Sequence, residues 1–239
     1  MTVTRYTLQD APFAGHTGRG VRVAVVDSGI ATGHQHVGDV GTGVSFIAGV
    51  KDTLDRIGHG TAVAAAIREK APGAVLIPVK VFDRALKTDA QTLAHAIDWA
   101  VEHDCRVINL SLGTLNAEHT ELLQAAVTAA AGRGSVVVSA YESDGVRWLP
   151  GSLEPAAGVL ADAEIDRDAI LIDSEPGRSS RVHASIYPRP IPGVPRERNL
   201  NGISFSVANA SGFLARMLEG SPSSAGNAAT EFPWLERKA

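Results

Sequence analysis

The chain has 239 residues, of which 44% are hydrophobic and 20% charged, and its formal net charge is −4. This length can bury a sizeable core within one large α/β domain. The charge balance gives no attraction to nucleic acid or to an anionic membrane, and no apolar stretch is long enough to span a bilayer, so we expect neither partner.

The N-terminal segment and the cysteine content predict a cytoplasmic protein. Residues 1–20 carry charged side chains and lack the uninterrupted apolar stretch of a secretion signal. The single cysteine, Cys105, cannot form an internal disulfide, which fits a reducing compartment. Because apolar residues follow it at Val107 and Ile108, we expect a buried structural thiol rather than a reactive one.

Apolar runs alternate with amphipathic stretches through the first part of the chain. The apolar runs predict buried strands at residues 21–26, 75–82, 106–110 and 135–140. Between them, apolar residues at three- and four-residue spacing predict helices over 88–103 and 117–131. Buried strands that are linked by helices predict a mostly parallel sheet with right-handed crossovers.

The pattern loosens from Gly145 to Asn201 and becomes regular again in a final helix. Short strand candidates lie at 158–161, 169–172 and 182–186, and a proline-rich connection at 188–195 leads to a helix that begins near Ile203 and runs through Leu218. We assign residues 1–220 to one domain. Residues 221–239 are predicted to form a flexible C-terminal tail, because their first part is small and polar, with an apolar tip at 232–235 that packs on the same domain.

Three short motifs supply a carboxylate, an imidazole and a hydroxyl. Asp27 ends the apolar run Val-Ala-Val-Val-Asp-Ser-Gly, His59 lies in Gly-His-Gly-Thr, and Ser204 lies in Asn-Gly-Ile-Ser-Phe-Ser. A serine hydroxyl is a poor nucleophile until an imidazole takes its proton, and a carboxylate fixes the tautomer of that imidazole. Ligands bind beyond the carboxyl ends of parallel strands, where Asp27 is expected. Together the motifs predict a hydrolytic triad.

Each motif alone has a simpler interpretation. A phosphate-transfer enzyme of the haloacid dehalogenase type also has an aspartate after its first strand, but it needs a second aspartate where this chain has Gly29. A histidine before a glycine is more often a helix cap than a base. His34 and His36 suggest a metal site, but nothing nearby supplies the further ligands of zinc, so we expect no metal.

The motifs resemble those of the subtilisin-like serine proteases, or subtilases, and the chain order Asp, His, Ser is the one found in subtilisin. The segment Ile108-Asn-Leu-Ser-Leu-Gly113 is similar to the family's strand that pairs with substrate, and the likeness extends from about Gly18 to Leu218. The resemblance implies an α/β, subtilisin-like three-layer fold, with a mostly parallel central sheet and helices on both faces. It also implies a serine endopeptidase.

The resemblance implies a role for each member of the triad. Ser204 would be the nucleophile, and its backbone N–H would donate to the oxyanion at the start of a helix. His59 would take the proton of Ser204 and return it to the leaving amine. Asp27 would accept a hydrogen bond from the other ring nitrogen.

The resemblance also implies a peptide or protein substrate. Ser111, Leu112 and Gly113 would add an extended peptide as a further strand, and the glycine would let its backbone approach closely. No cofactor is expected from the sequence. Calcium stays open, because the family's calcium sites draw on scattered carbonyls that a sequence does not reveal. The oligomeric state is open as well.

One position departs from the family pattern. Ungapped pairing after the strand at 135–140 puts Ser143 where the family has an asparagine that completes the oxyanion hole. A serine hydroxyl is shorter than that amide, and Glu142 and Asp144 add negative charge, so slow turnover is expected. With the missing secretion signal, this predicts a specialised intracellular processing protease. The alternative is a weakly active or inactive scaffold that binds a peptide or protein partner.

Overall fold

A computed structural model of the chain describes residues 2–143, 145–174 and 181–221. The tail predicted at 221–239 lies outside these residues, except for Ser221. The apolar tip at 232–235 is likewise outside them. None of the helices in the described part of the chain has the length and hydropathy that a membrane crossing requires.

The described residues form four α-helices and eleven strands. The helices are α1 His59–Lys70, α2 Ala90–Glu102, α3 Thr120–Gly132 and α4 Ile203–Met217. The strands are β1 Thr2–Thr7, β2 Arg22–Asp27, β3 Val44–Ser45, β4 Val75–Lys80, β5 Val107–Leu110, β6 Val136–Ala140, β7 Glu142–Ser143, β8 Val146–Arg147, β9 Ala157–Asp162, β10 Ala169–Ser174 and β11 Arg181–Ser185.

Nine of these strands form one sheet in the order β1-β10-β11-β9-β6-β5-β2-β4-β3 within the described residues. From β11 to β3 every neighbouring pair is parallel, whereas β10 pairs antiparallel with both β11 and β1. The strands β7 and β8 form a separate antiparallel hairpin that follows β6. The parallel strands align their carboxyl ends at one edge, which is where a ligand site is expected.

Side chains alternate across the sheet and bury two apolar clusters, one on each face. Val23 and Val25 of β2 pack in a cluster that contains α1 and α4, and Ala24 and Val26 pack with α2 and α3 on the other face. This gives three layers and confirms the predicted fold class. Cys105 lies in the second cluster, and burial raises the pKa of its thiol to about 11, so little thiolate exists at neutral pH.

The structure forms every strand and helix that the periodicity predicts, with ends that differ by at most three residues. The prediction lacks β1, because its sequence Thr-Val-Thr-Arg-Tyr-Thr is largely polar and exposed, and only pairing with β10 makes it a strand. It also lacks the hairpin β7–β8, where the sequence analysis expects an irregular loop. Strand β1 depends on pairing with β10, which is distant in the sequence, and the strands β7 and β8 are very short. Local sequence patterns encode neither feature.

Candidate active site

Asp27 and His59 lie in direct contact at the carboxyl edge of the sheet. The Nδ1 atom of His59 is 2.8 Å from Oδ1 and 2.9 Å from Oδ2 of Asp27. The carboxylate is fully buried, and the backbone N–H of Ser28 donates to its Oδ1 at 2.7 Å. Donation by Nδ1 leaves Nε2 of His59 as the proton acceptor, which is the tautomer that a general base needs.

The distance between Asp27 and His59 depends on Gly60. A Cβ atom at this position would lie 2.2 Å from the carbonyl oxygen of Gly29 and 3.2 Å from Oδ1 of Asp27. Helix α1 therefore starts close enough to the end of β2 for a direct hydrogen bond only because residue 60 has no side chain.

Asp55 fixes the start of α1, and the sequence analysis does not single it out. Its carboxylate accepts hydrogen bonds from the backbone N–H groups of Ile57, Gly58 and Thr61, and from the hydroxyl groups of Thr61 and Ser28. Burial alone would raise the pKa of Asp55, but these hydrogen bonds outweigh burial and lower it. An acidic residue shortly before the start of a helix is the signal that could have identified it.

Lys80 stabilises the two segments that contain Asp27 and Asp55. Its side chain is fully buried at the end of β4, and its Nζ donates to the carbonyls of Ser28 at 2.7 Å and Leu54 at 3.0 Å. The charge is paired with Asp83, 3.2 Å away. A single ammonium group therefore holds the residue after Asp27 and the residue before Asp55 in place.

The environment of His59 favours its protonated form. Burial lowers the pKa of the imidazole, but the hydrogen bond and charge of Asp27, together with the charge of Asp55, outweigh burial and raise the pKa above its ordinary value. A general base must be neutral, so any activity that uses His59 declines as the pH falls through this raised pKa.

Replacing Asp55 with asparagine should move the acid limb of the rate profile to lower pH. Removal of the Asp55 charge lowers the pKa of His59, so the neutral imidazole persists in more acidic solution. The loss of a charged acceptor should also cost about 1–3 kcal/mol of unfolding free energy, measured in urea. Asp52→Asn is the matched control, since its carboxylate pairs with Arg56 and should leave the limb in place. An unmoved limb in Asp55→Asn would contradict this account of the imidazole.

Ser204 lies in the first turn of α4 and contacts the segment that follows β5. Its Oγ donates to the carbonyl of Ser111 at 3.1 Å, and the Ser111 hydroxyl donates back to the carbonyl of Ser204 at 3.2 Å. The ring of Phe205, the next residue, lies 6.0 Å from the His59 ring between centroids. No hydrogen bond joins Ser204 to His59 within the described ranges, and the Ser204 hydroxyl is directed at the Ser111 carbonyl instead.

Close packing within the chain leaves no room for a side chain at Gly113. A Cβ atom there would lie 2.5 Å from the carbonyl oxygen of Leu149 and 3.2 Å from Cε3 of Trp148. The next residue, Thr114, exchanges two backbone hydrogen bonds of 2.9 Å with Leu149. The sequence predicts that a glycine here lets a substrate backbone approach closely. The structure shows in addition that a side chain at this position would overlap Leu149 and Trp148.

Ser143 lies in β7, the first strand of the hairpin that follows β6, and pairs with Val146. Glu142, beside it, pairs with Arg147 across the hairpin. Hydrogen bonds between described residues therefore join Asp27 to His59 and Ser111 to Ser204, and Ser143 lies beside Val146 in the hairpin.

A cavity of about 340 Å³ lies beside the start of α1. It is bounded by Thr61 and Ala65 of the helix, by His34, and by Leu200 of the connection that leads to α4. Among the described residues no group of three or more His, Cys, Asp or Glu side chains is arranged to hold a metal ion, so His34 and His36 have no further ligands there.

Comparison with protein families identifies a match over the first part of the chain. The model described as the Subtilase family matches residues 18–144, a range that contains Asp27 and His59 and ends before Ser204. Among curated proteins, Subtilisin Savinase of Lederbergia lenta is 30% identical over 242 residues, which cover 92% of this chain and 84% of that protein. M-protease of Shouchella clausii (strain KSM-K16) is also 30% identical over 92% of this chain, but the match spans only 60% of its length.

Two solved structures share the fold. The crystal structure of a cold adapted subtilisin-like serine proteinase has a TM-score of 0.71 and 20% sequence identity, covering 92% of this chain and 81% of that one. The crystal structure of a lanthipeptide protease has a TM-score of 0.67 and 19% identity, covering 90% and 79%. At these low sequence identities, the structural similarity shows a shared fold and nothing further.

Proposed function

Because this chain belongs to the subtilase family of subtilisin-like serine endopeptidases, we propose that it hydrolyses peptide bonds through a triad of Asp27, His59 and Ser204. The observation that carries the proposal is the buried Asp27 carboxylate on Nδ1 of His59, at 2.8 and 2.9 Å. Such a contact orients an imidazole and stabilises its positive charge, which are the two things a serine nucleophile needs from it.

The proposed reaction has two steps. Nε2 of His59 takes the proton from Ser204 as Oγ attacks the peptide carbonyl, and the same nitrogen gives that proton to the departing amine. Water, activated by His59, then releases the acyl group from Ser204. The backbone N–H of Ser204, at the N-terminal end of α4, supports the oxyanion in both steps.

Labelling with a fluorophosphonate probe tests this proposal. The purified chain should form one adduct, located on Ser204 by peptide mass spectrometry, because the probe reacts only with an activated serine. Ser204→Ala is the control that should stay unlabelled. Ser206→Ala, which removes a buried hydroxyl two residues away, should leave the adduct on Ser204. An unlabelled wild-type chain that also cleaves no peptide from a library would count against the proposal.

A second function is favoured by Ser143 and by the hydrogen bond of the Ser204 hydroxyl to Ser111. In this reading the fold is a scaffold that binds a peptide or protein partner with little hydrolysis. A scaffold keeps its biological effect in the Ser204→Ala variant, whereas a protease loses it. That comparison separates the two functions.

A narrower role also remains a proposal. We propose a specialised processing protease of the cytoplasm, whose single cysteine suits a reducing compartment. Broad digestion of casein by the purified chain would contradict the specialised role. Residues 1–220 are proposed as the catalytic domain, with 221–239 as an appended tail.

A further inference from the structure

The acyl part of a substrate bound to Ser204 must lie against the segment that follows β5. The Ser204 hydroxyl is 3.1 Å from the carbonyl of Ser111, so the carbon that it attacks lies within a few ångströms of this segment. Neither the N–H nor the C=O of Gly113 makes a hydrogen bond within the part of the chain that the structure describes. Both groups are therefore free to pair with an extended peptide backbone.

In the proposed peptidase reaction, the side chain of the residue before the scissile bond would extend between two neighbouring segments. One is Ser111–Gly113 after β5, and the other is the chain after β6 from Ala140 to Glu142, because β5 and β6 are adjacent parallel strands. The hydroxyl of Ser139, the residue just before the second segment, donates to the carbonyl of Leu112 at 3.2 Å and joins the first segment to β6. The space between them therefore has a fixed width at its inner end.

Trp148 contacts both of the segments that border this space. Its Cε3 lies 3.2 Å from the Cβ position of Gly113, and its backbone N–H donates to the carbonyl of Tyr141 at 2.9 Å. The next residue, Leu149, is held by the two hydrogen bonds to Thr114. The indole thus contacts the segment after β5, while the backbone of Trp148 is bonded to the segment after β6.

We propose that Trp148 restricts the residue on the acyl side of the scissile bond to small side chains, such as those of glycine, alanine and serine. The inference rests on the proposed peptidase function. A large side chain would occupy volume that the indole already holds, and displacing the indole would break the packing on Gly113.

A set of peptides that differ only in this residue tests the proposal. With alanine, leucine and phenylalanine before the scissile bond, the wild-type kcat/KM should fall in that order. Trp148→Ala should raise the ratio of kcat/KM for the phenylalanine peptide to kcat/KM for the alanine peptide at least about tenfold. A change of a few methylene groups in a pocket alters kcat/KM by a factor of this size. Trp148→Phe, which keeps an aromatic wall, is the matched control and should change the ratio far less.

The outcomes separate this inference from the peptidase function. Fluorophosphonate labelling of Ser204 with a wild-type preference for phenylalanine, or with an unchanged ratio in Trp148→Ala, overturns the role of Trp148 and leaves the peptidase function standing. A wild-type chain with no labelling and no cleavage overturns both. If Trp148→Ala does not fold by circular dichroism, Trp148→Leu keeps apolar volume without the ring, and its ratio decides in the same way.

Discussion

Replacing Asp27 with asparagine should lower kcat by about 10⁴-fold with little change in KM, the loss seen when the triad aspartate of another serine protease is changed in this way. The carboxylate can only accept a hydrogen bond, so it holds the proton of His59 on Nδ1. An amide in its place can donate to Nδ1 and stabilise the tautomer with its proton on Nε2. That nitrogen is then unable to accept the proton of Ser204.

Steady-state kinetics on one peptide, with circular dichroism to establish folding, measures this effect. Asp55→Asn is the matched control, because it removes a nearby carboxylate that contacts backbone N–H groups and hydroxyls rather than the imidazole. Its kcat at a pH well above the acid limb should stay within about tenfold of wild type. Equal losses in the two variants would mean that the hydrogen bond on Nδ1 has no special part in the reaction.

Replacing Ser143 with asparagine should raise kcat by up to about a hundredfold if this position supplies an oxyanion donor. Removal of the oxyanion-hole asparagine of subtilisin, a member of this family, lowers kcat by about 10²- to 10³-fold. Introducing an asparagine at position 143 should have the opposite effect. KM should change little, since the donor acts on the charge that develops in the transition state. Single-turnover acylation is the measurement, because it isolates the step in which the oxyanion forms.

The control for this variant is Ser143→Ala. If the serine hydroxyl already donates weakly, the alanine variant should acylate more slowly than wild type and the asparagine variant faster. If both match wild type, another group supplies the donor, and the position of Ser143 in β7 is a matter of hairpin pairing alone.

The contact between Asp27 and His59 could be predicted from the sequence, because Asp27 follows a strongly patterned strand and both residues lie in motifs that resemble those of the subtilases. The fold class followed from the same alternation of buried strands and amphipathic helices.

The residues that surround the contact were harder to predict. Asp55 acts through a loop that has no periodic pattern. Trp148 lies beside Gly113 where its neighbour Leu149 pairs with Thr114. Contacts of this kind depend on tertiary structure between segments far apart in the chain, for which the local sequence carries no signal.

The glycine after His59 limits what the histidine motif alone can say about catalytic activity. Gly60 is required wherever a helix begins against the end of this strand, since a methyl group there would overlap the Gly29 carbonyl. That requirement is steric and holds equally in a pseudoenzyme that has lost its nucleophile. The histidine motif in a genome survey therefore reports how a chain is packed, and an assignment of catalysis needs the serine and its surroundings as separate criteria.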